Sequence, residues 1–168
     1  MIRDRVWEDL CNSFFYEEFL GLYINGKKST KIIIKIVSIS LNIIGLAGWY
    51  RYSSLSLVWL ILLFLVMVFN WVKDHFVISD EKLFVLDKTH QFYIERSRHL
   101  EDLWYDLFEE KITEDQANRK YKKLNNEELN MIKTFRHEKI EGTKKMIAKA
   151  SQGSYNRLNK YIENGKGK

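Results

Sequence analysis

Residues Ile32 to Val72 form an almost unbroken apolar block, and a block of this length leaves a chain few ways to fold. Ile32–Tyr50 supplies 19 residues and Leu55–Val72 another 18. At about 1.5 Å of helix per residue, each approaches the roughly 30 Å hydrocarbon core of a bilayer. Only Arg51, Tyr52, Ser53 and Ser54 stand between them, so the two segments are predicted to form a tight antiparallel hairpin. Lys27, Lys28 and Lys31 precede the first segment and Lys73 follows the second, against Arg51 alone in the turn. That excess of positive charge predicts a multi-pass protein with both termini on the cytoplasmic side. Trp49, Tyr50, Tyr52 and Trp71 fall near the segment ends, where amphipathic rings favour an interface.

The mean hydropathy of −0.32 conceals this block, because the rest of the chain is polar. The expected class is an all-α membrane protein. A cytoplasmic N-terminal segment (1–31) carries an amphipathic helix, residues 32–72 form the transmembrane hairpin, and residues 73–168 form a cytoplasmic helical domain. With no proline in the chain, long helices are free to form. Val6, Trp7, Leu10, Phe14 and Phe15 give the N-terminal helix its apolar face, with Gly21, Asn25 and Gly26 as punctuation after it. Leu100, Leu103, Trp104, Leu107 and Phe108 make a second helical stripe, preceded by a polar interval at Ser79–Lys82 that can break the helix. Thr113 and Gln116 match a capping box, followed by Ala117, Tyr121 and Leu124. Asn125 and Glu128 offer another helix start before Leu129, Ile132 and Phe135. A last helix is expected on Ile147, Tyr155, Leu158 and Ile162, with Gly153 as its weak point.

Two sets of polar residues invite a functional assignment. Lys35, Ser38, Asn42, Gly45 and Trp49 share one helical face of the first apolar segment, and Asn70 lies near the end of the second. An amide among lipid tails must find a protein or water partner. Lys35, Ser38, Asn42 and Asn70 are therefore candidate pore or gating residues, with helix-to-helix packing as the alternative. Two spans are too thin to enclose a water path, so a pore requires a homo-oligomer.

The second set follows from charge. Lys73–Ala117 holds six Lys/Arg against twelve Asp/Glu, a net −6, whereas Asn118–Lys168 holds fourteen against five, a net +9. Such a division favours packing of the acidic helix against the basic one. Basic residues left over can bind an anionic ligand, with phosphates neutralised by Lys and Arg and bases stacked on Tyr121, Phe135 or Tyr155. Arg119, Lys122, Lys123, Lys133 and Arg136 are the candidates. Anionic lipid headgroups are a third possible partner.

Catalytic chemistry has little support. Cys11 is the single cysteine, His137 and Glu138 stand in HEKIE without the second histidine of a zinc helix, and no nucleotide-loop or hydrolase spacing occurs. No enzyme, cofactor or metal site is expected.

The layout of a short lead, a two-segment hairpin with a tiny turn, and then LEDLWYDLFEEKITEDQANRKYKKL (Leu100–Leu124) resembles the SLATT-type two-transmembrane effectors of bacterial anti-phage systems. It is similar, too, to the membrane effectors of Hailong systems. The resemblance implies an oligomeric effector of the bacterial inner membrane that conducts ions or disrupts the bilayer. It further implies control by a nucleotide or oligonucleotide made by a partner nucleotidyltransferase. The alternative is a non-conducting membrane anchor or scaffold that docks partner proteins.

Overall fold

A single helix, α1 (Ile2–Arg51), runs through the N-terminal amphipathic segment and the first apolar segment without a break. Gly21, Asn25 and Gly26 do not interrupt it, because a lone glycine costs a helix only about 1 kcal/mol and no proline follows. The computed structural model describes residues 1–51, 56–135 and 140–165; the side chains described exclude those of 45–51, 56, 73–76, 134–135, 160 and 162–165. Within these, α1 is followed by α2 (Ser56–Phe76), α3 (Asp80–Phe108), α4 (Glu114–Phe135) and α5 (Lys144–Gly165), with no strand. The all-α expectation holds at that level. Of the turn between the apolar segments, residues 52–55 lie outside the described residues, as do the side chains of Gly45, Trp49, Tyr50 and Arg51.

Each of the last three helices starts on a hydroxyl. Ser79 Oγ accepts from the Lys82 amide at 3.3 Å and Thr143 Oγ1 from the Met146 amide at 3.3 Å. Thr113 and Gln116 form the predicted reciprocal box, at 3.3 and 3.1 Å. Ahead of that box α3 ends in a paired closure. The Lys111 amide reaches Asp106 O at 2.9 Å and the Glu110 amide reaches Leu107 O at 3.4 Å. Glu110 takes the left-handed conformation (φ 55°) that this closure demands and that glycine usually fills. The second capping pattern at Asn125 and Glu128 starts nothing: α4 runs on, and both side chains are drawn to Arg96 instead.

Two compact units result: residues 1–24 with 84–168, and residues 25–83. The first is a head of four helices. Val6, Leu10 and Phe14 of α1 meet Leu100, Leu103 and Leu107 of α3 and Ala117 of α4 in one core, with Trp7, Trp104, Tyr121, Leu124, Leu158 and Tyr161 around it. On α5 Ala150 and Ser154 are buried and Leu158 of the expected stripe packs against the core with Tyr161, while Ile147 and Tyr155 are 43% and 58% exposed and the side chain of Ile162 lies outside the described residues. The small residues allow close approach to α1, where Ser154 Oγ lies 3.5 Å from Cys11 O and Gly153 faces the Glu18 carboxylate. At Gly142 a side chain would collide with the Phe19 ring, so the link into α5 depends on glycine.

The second unit pairs the distal half of α1 with α2 in antiparallel fashion, linked from Ser38 to Asn70, and Lys31 of α1 pairs with Asp80 at the start of α3. Its surface is apolar: Ile33 is 60%, Leu57 71%, Met67 63% and Trp71 79% exposed.

Among the described residues no helix is long and apolar enough to cross a membrane. The expectation of a multi-pass inner-membrane protein with both termini in the cytoplasm is corrected accordingly. In α1 the apolar stretch continues a polar helix and carries Lys35, Ser38, Ser40 and Asn42. In α2 the described apolar side chains run from Leu57 to Val72.

Candidate functional site

Three of the four residues assigned to a pore come together, and they bond to one another. Ser38, nearly buried, donates from its hydroxyl to Asn70 Oδ1, and Asn42 Nδ2 donates to Ser38 O at 2.7 Å. The Ser38–Asn70 bond links the two helices of the hairpin, and the Asn42 bond stays within α1. Lys35 is exposed and belongs to no such contact in the described set.

In the head the largest concentration of buried polarity centres on Arg96, which is 3% exposed. Its Nη1 donates to Leu124 O at 2.7 Å, and its Nη2 to Asn125 Oδ1 at 2.9 Å. Nη2 is also paired with Glu128 at 2.9 Å and Asp9 at 3.3 Å. Tyr121 donates to Asp9 at 2.8 Å and Tyr93 to Glu128 at 3.4 Å. One guanidinium of α3 thus holds α1 and α4 together. Burial, with Glu128 next, raises the Tyr93 phenol above its ordinary value, and burial likewise raises Tyr121. The Arg96 Nε is buried and has no partner among the described residues.

A second set joins α5 to the same core. Arg157 lies 4.1 Å over the Phe14 ring and pairs with Glu17 at 2.6 Å, Ser97 donates to Glu17 at 2.8 Å, and Tyr161 donates to Glu101 at 2.6 Å. The Tyr161 phenol is raised by burial and by that carboxylate.

Sequence reasoning missed Arg96 and Tyr93, although a signal exists. The spacing Tyr93, Arg96, Leu100, Leu103, Leu107 continues the apolar stripe of α3 backwards, which puts a cation and a phenol on the buried face.

Arg119, Lys122 and Lys133 are exposed along the side of α4 opposite Ala117, Tyr121 and Leu124, while Lys123, also exposed, lies on the flank toward α3. Asn126 and Asn130 share that side, so the outward face is polar and predominantly basic over about 21 Å from Arg119 to Lys133. Arg136 lies outside the described residues. The expected pairing of acidic with basic helix occurs at Lys120, which reaches Asp106 at 3.0 Å, whereas Arg96 with Glu128 pairs a cation of the acidic helix with a carboxylate of the basic one.

Between α3 and α4 a cavity of about 300 Å³ opens over a floor of Leu103 and Leu124. Its walls are His99, Asp102 and Asp106 from α3 and Lys120, Lys123 and Glu127 from α4. A smaller cavity of about 70 Å³ shares His99, Leu124 and Glu127 with it and adds Arg96, Glu95 and Phe92.

Comparison with protein families, curated proteins and solved structures finds no match to this chain.

Proposed function

We propose that the protein is a homo-oligomeric effector. Its output is association through the apolar hairpin, and its input is an anionic, nucleotide-like or oligonucleotide-like ligand on the outward face of α4. The exposed hairpin surface carries this proposal. Seventeen large apolar side chains between Ile32 and Trp71 are each more than a third exposed among the described residues. Together they amount to on the order of 1,000 Å² or more, beyond the roughly 300–600 Å² of the largest patch on a typical monomer. A stable dimer needs about 800 Å² per partner, so a second copy has surface enough to dock.

A conducting path forms no part of the proposal, since Ser38, Asn42 and Asn70 are occupied with one another. In the setting that the resemblance suggests, the ligand would come from a nucleotidyltransferase and assembly would serve anti-phage defence. A scaffold that docks partner proteins is the second reading. Leu129 and Ile132 favour it, being 53% and 46% exposed on α4 without apolar cover.

Binding of short DNA oligonucleotides and of mononucleotides at rising salt tests the ligand half. The unmodified chain should bind with affinity that falls steeply as salt rises. Reversal of Arg119, Lys122 and Lys133 to Glu should abolish binding and leave the melting of the head in place. Absence of salt-dependent binding by the unmodified chain would remove the ligand from the proposal.

A further inference from the structure

Resting on association through the hairpin, we infer that each copy meets two neighbouring copies, on nearly opposite sides of α2, so that the assembly holds more than two chains. The two sides follow from spacing. Leu60, Phe64, Met67 and Trp71 succeed one another at steps of four, three and four, the pattern of a seam between packed helices, and all four are exposed. Val58, Leu62, Leu65 and Phe69 repeat the same steps two residues earlier, with Leu62 half-buried and the other three exposed. At about 100° of turn per residue, a shift of two residues sets the stripes about 160° apart around the helix.

The chain's own first helix covers neither stripe. It meets α2 on a third side, where Val66 is buried and Asn70 accepts from Ser38. On α1 itself Ile33, Val37 and Ile44 are exposed along one flank, while Lys35 and Asn42 are exposed along the opposite one. Burying that ammonium without a partner is costly, so α1 offers a neighbour one flank and α2 offers two sides. A helix packed on one side covers an apolar arc of about 100°. One copy seated on the Leu60 stripe therefore leaves the Val58 stripe in water, and the reverse. Another copy of this hairpin fits each stripe, because both are apolar from end to end and carry the spacing by which helices interlock.

Sedimentation equilibrium of the full chain should give a mass of more than two copies. Val58→Lys, Leu65→Lys and Phe69→Lys combined should lower that mass, and so should Leu60→Lys, Phe64→Lys and Met67→Lys combined, each with the head melting transition in place. A fall to two copies shows each stripe meeting its own kind across a two-fold axis, and a fall to one copy shows the two stripes meeting each other. Either fall upholds two contacts. An unmodified chain of two copies would overturn the second neighbour and leave association through the hairpin standing. An unchanged mass in either combined variant would overturn it as well. A single copy, free or on phospholipid vesicles, would overturn the second neighbour and the association together.

Discussion

One helix serves two regions with opposite surroundings. Over its first 24 residues α1 buries Val6, Leu10 and Phe14 completely against α3, α4 and α5, while from Ile32 to Ile44 most of its described apolar side chains are exposed. In the head the core is apolar, the buried guanidinium of Arg96 is bonded to two neighbouring helices, and the starts of α4 and α5 are capped. The hairpin leaves most of its described apolar side chains uncovered. Its apolar residues occur on every face of α2, a pattern that belongs to helices buried all round. Composition separates the two regions less clearly than the number of faces that are apolar.

The head should fail first under core truncation. Phe14→Ala removes a fully buried ring that packs against Tyr161 and lies under Arg157, and should cost about 3–5 kcal/mol of head stability. Thermal melting followed by circular dichroism reads the loss. Truncation of Phe64, 58% exposed on the hairpin, should leave that transition in place. Equal losses from the two changes would erase the distinction between the regions.

What was legible in the sequence follows the same division. The head helices announced themselves wherever local chemistry decides structure. Leu100, Leu103 and Leu107 repeat at helical spacing, and Thr113 and Gln116 cap each other as their spacing dictates. Tertiary partners decided the rest. Asn125 and Glu128 look like a helix start in sequence and are claimed by Arg96 in space, and Ala150 and Ser154 displace Ile147 and Tyr155 because α1 comes close. Apolarity and length alone suggested membrane spans, but they do not register the polar helix that continues into the first apolar segment. Of the candidate site residues, the outward placement of Arg119, Lys122 and Lys133 follows from helical periodicity. The mutual bonding of Ser38 and Asn70 depends on a register that only the paired helices supply.

Loss of the Arg96 tie should come next in size. Arg96→Ala leaves Asp9 and Glu128 facing each other without their cation and should cost about 3 kcal/mol, measured by urea unfolding of the head. Both carboxylates are about a quarter exposed, which keeps the loss at the low end of the range for buried pairs. An unchanged midpoint would show that the network is incidental to head stability.

Removal of a single cap should have a smaller effect. Thr113→Ala breaks the reciprocal box at the start of α4 and should lower stability by about 1 kcal/mol, and Thr113→Ser should restore most of it. If the serine variant melts with the alanine variant, the hydroxyl is not what holds the helix start.

Alkali separates the regions by titration. Tyr93, Tyr121 and Tyr161 of the head are raised above the ordinary phenol value of 10.0. The folded head holds these protons more tightly than the unfolded chain does. Its stability is thus fully present below pH 10 and declines as pH rises beyond it. Melting between pH 8 and pH 11 should show a fall confined to the upper part of that range, reduced in Tyr93→Phe. A fall already complete at pH 9 would contradict the assignment to these phenols.

The central claim is that copies of the chain cover the hairpin. Sedimentation equilibrium of the full chain tests it directly, with Leu60→Lys, Phe64→Lys and Met67→Lys combined as the comparison, three exposed positions along one stripe of α2. The unmodified chain should sediment as a discrete multimer and the triple variant as a smaller species, both with an intact head transition. A unmodified chain that sediments as a single copy, or that binds phospholipid vesicles as a single copy, would contradict the claim.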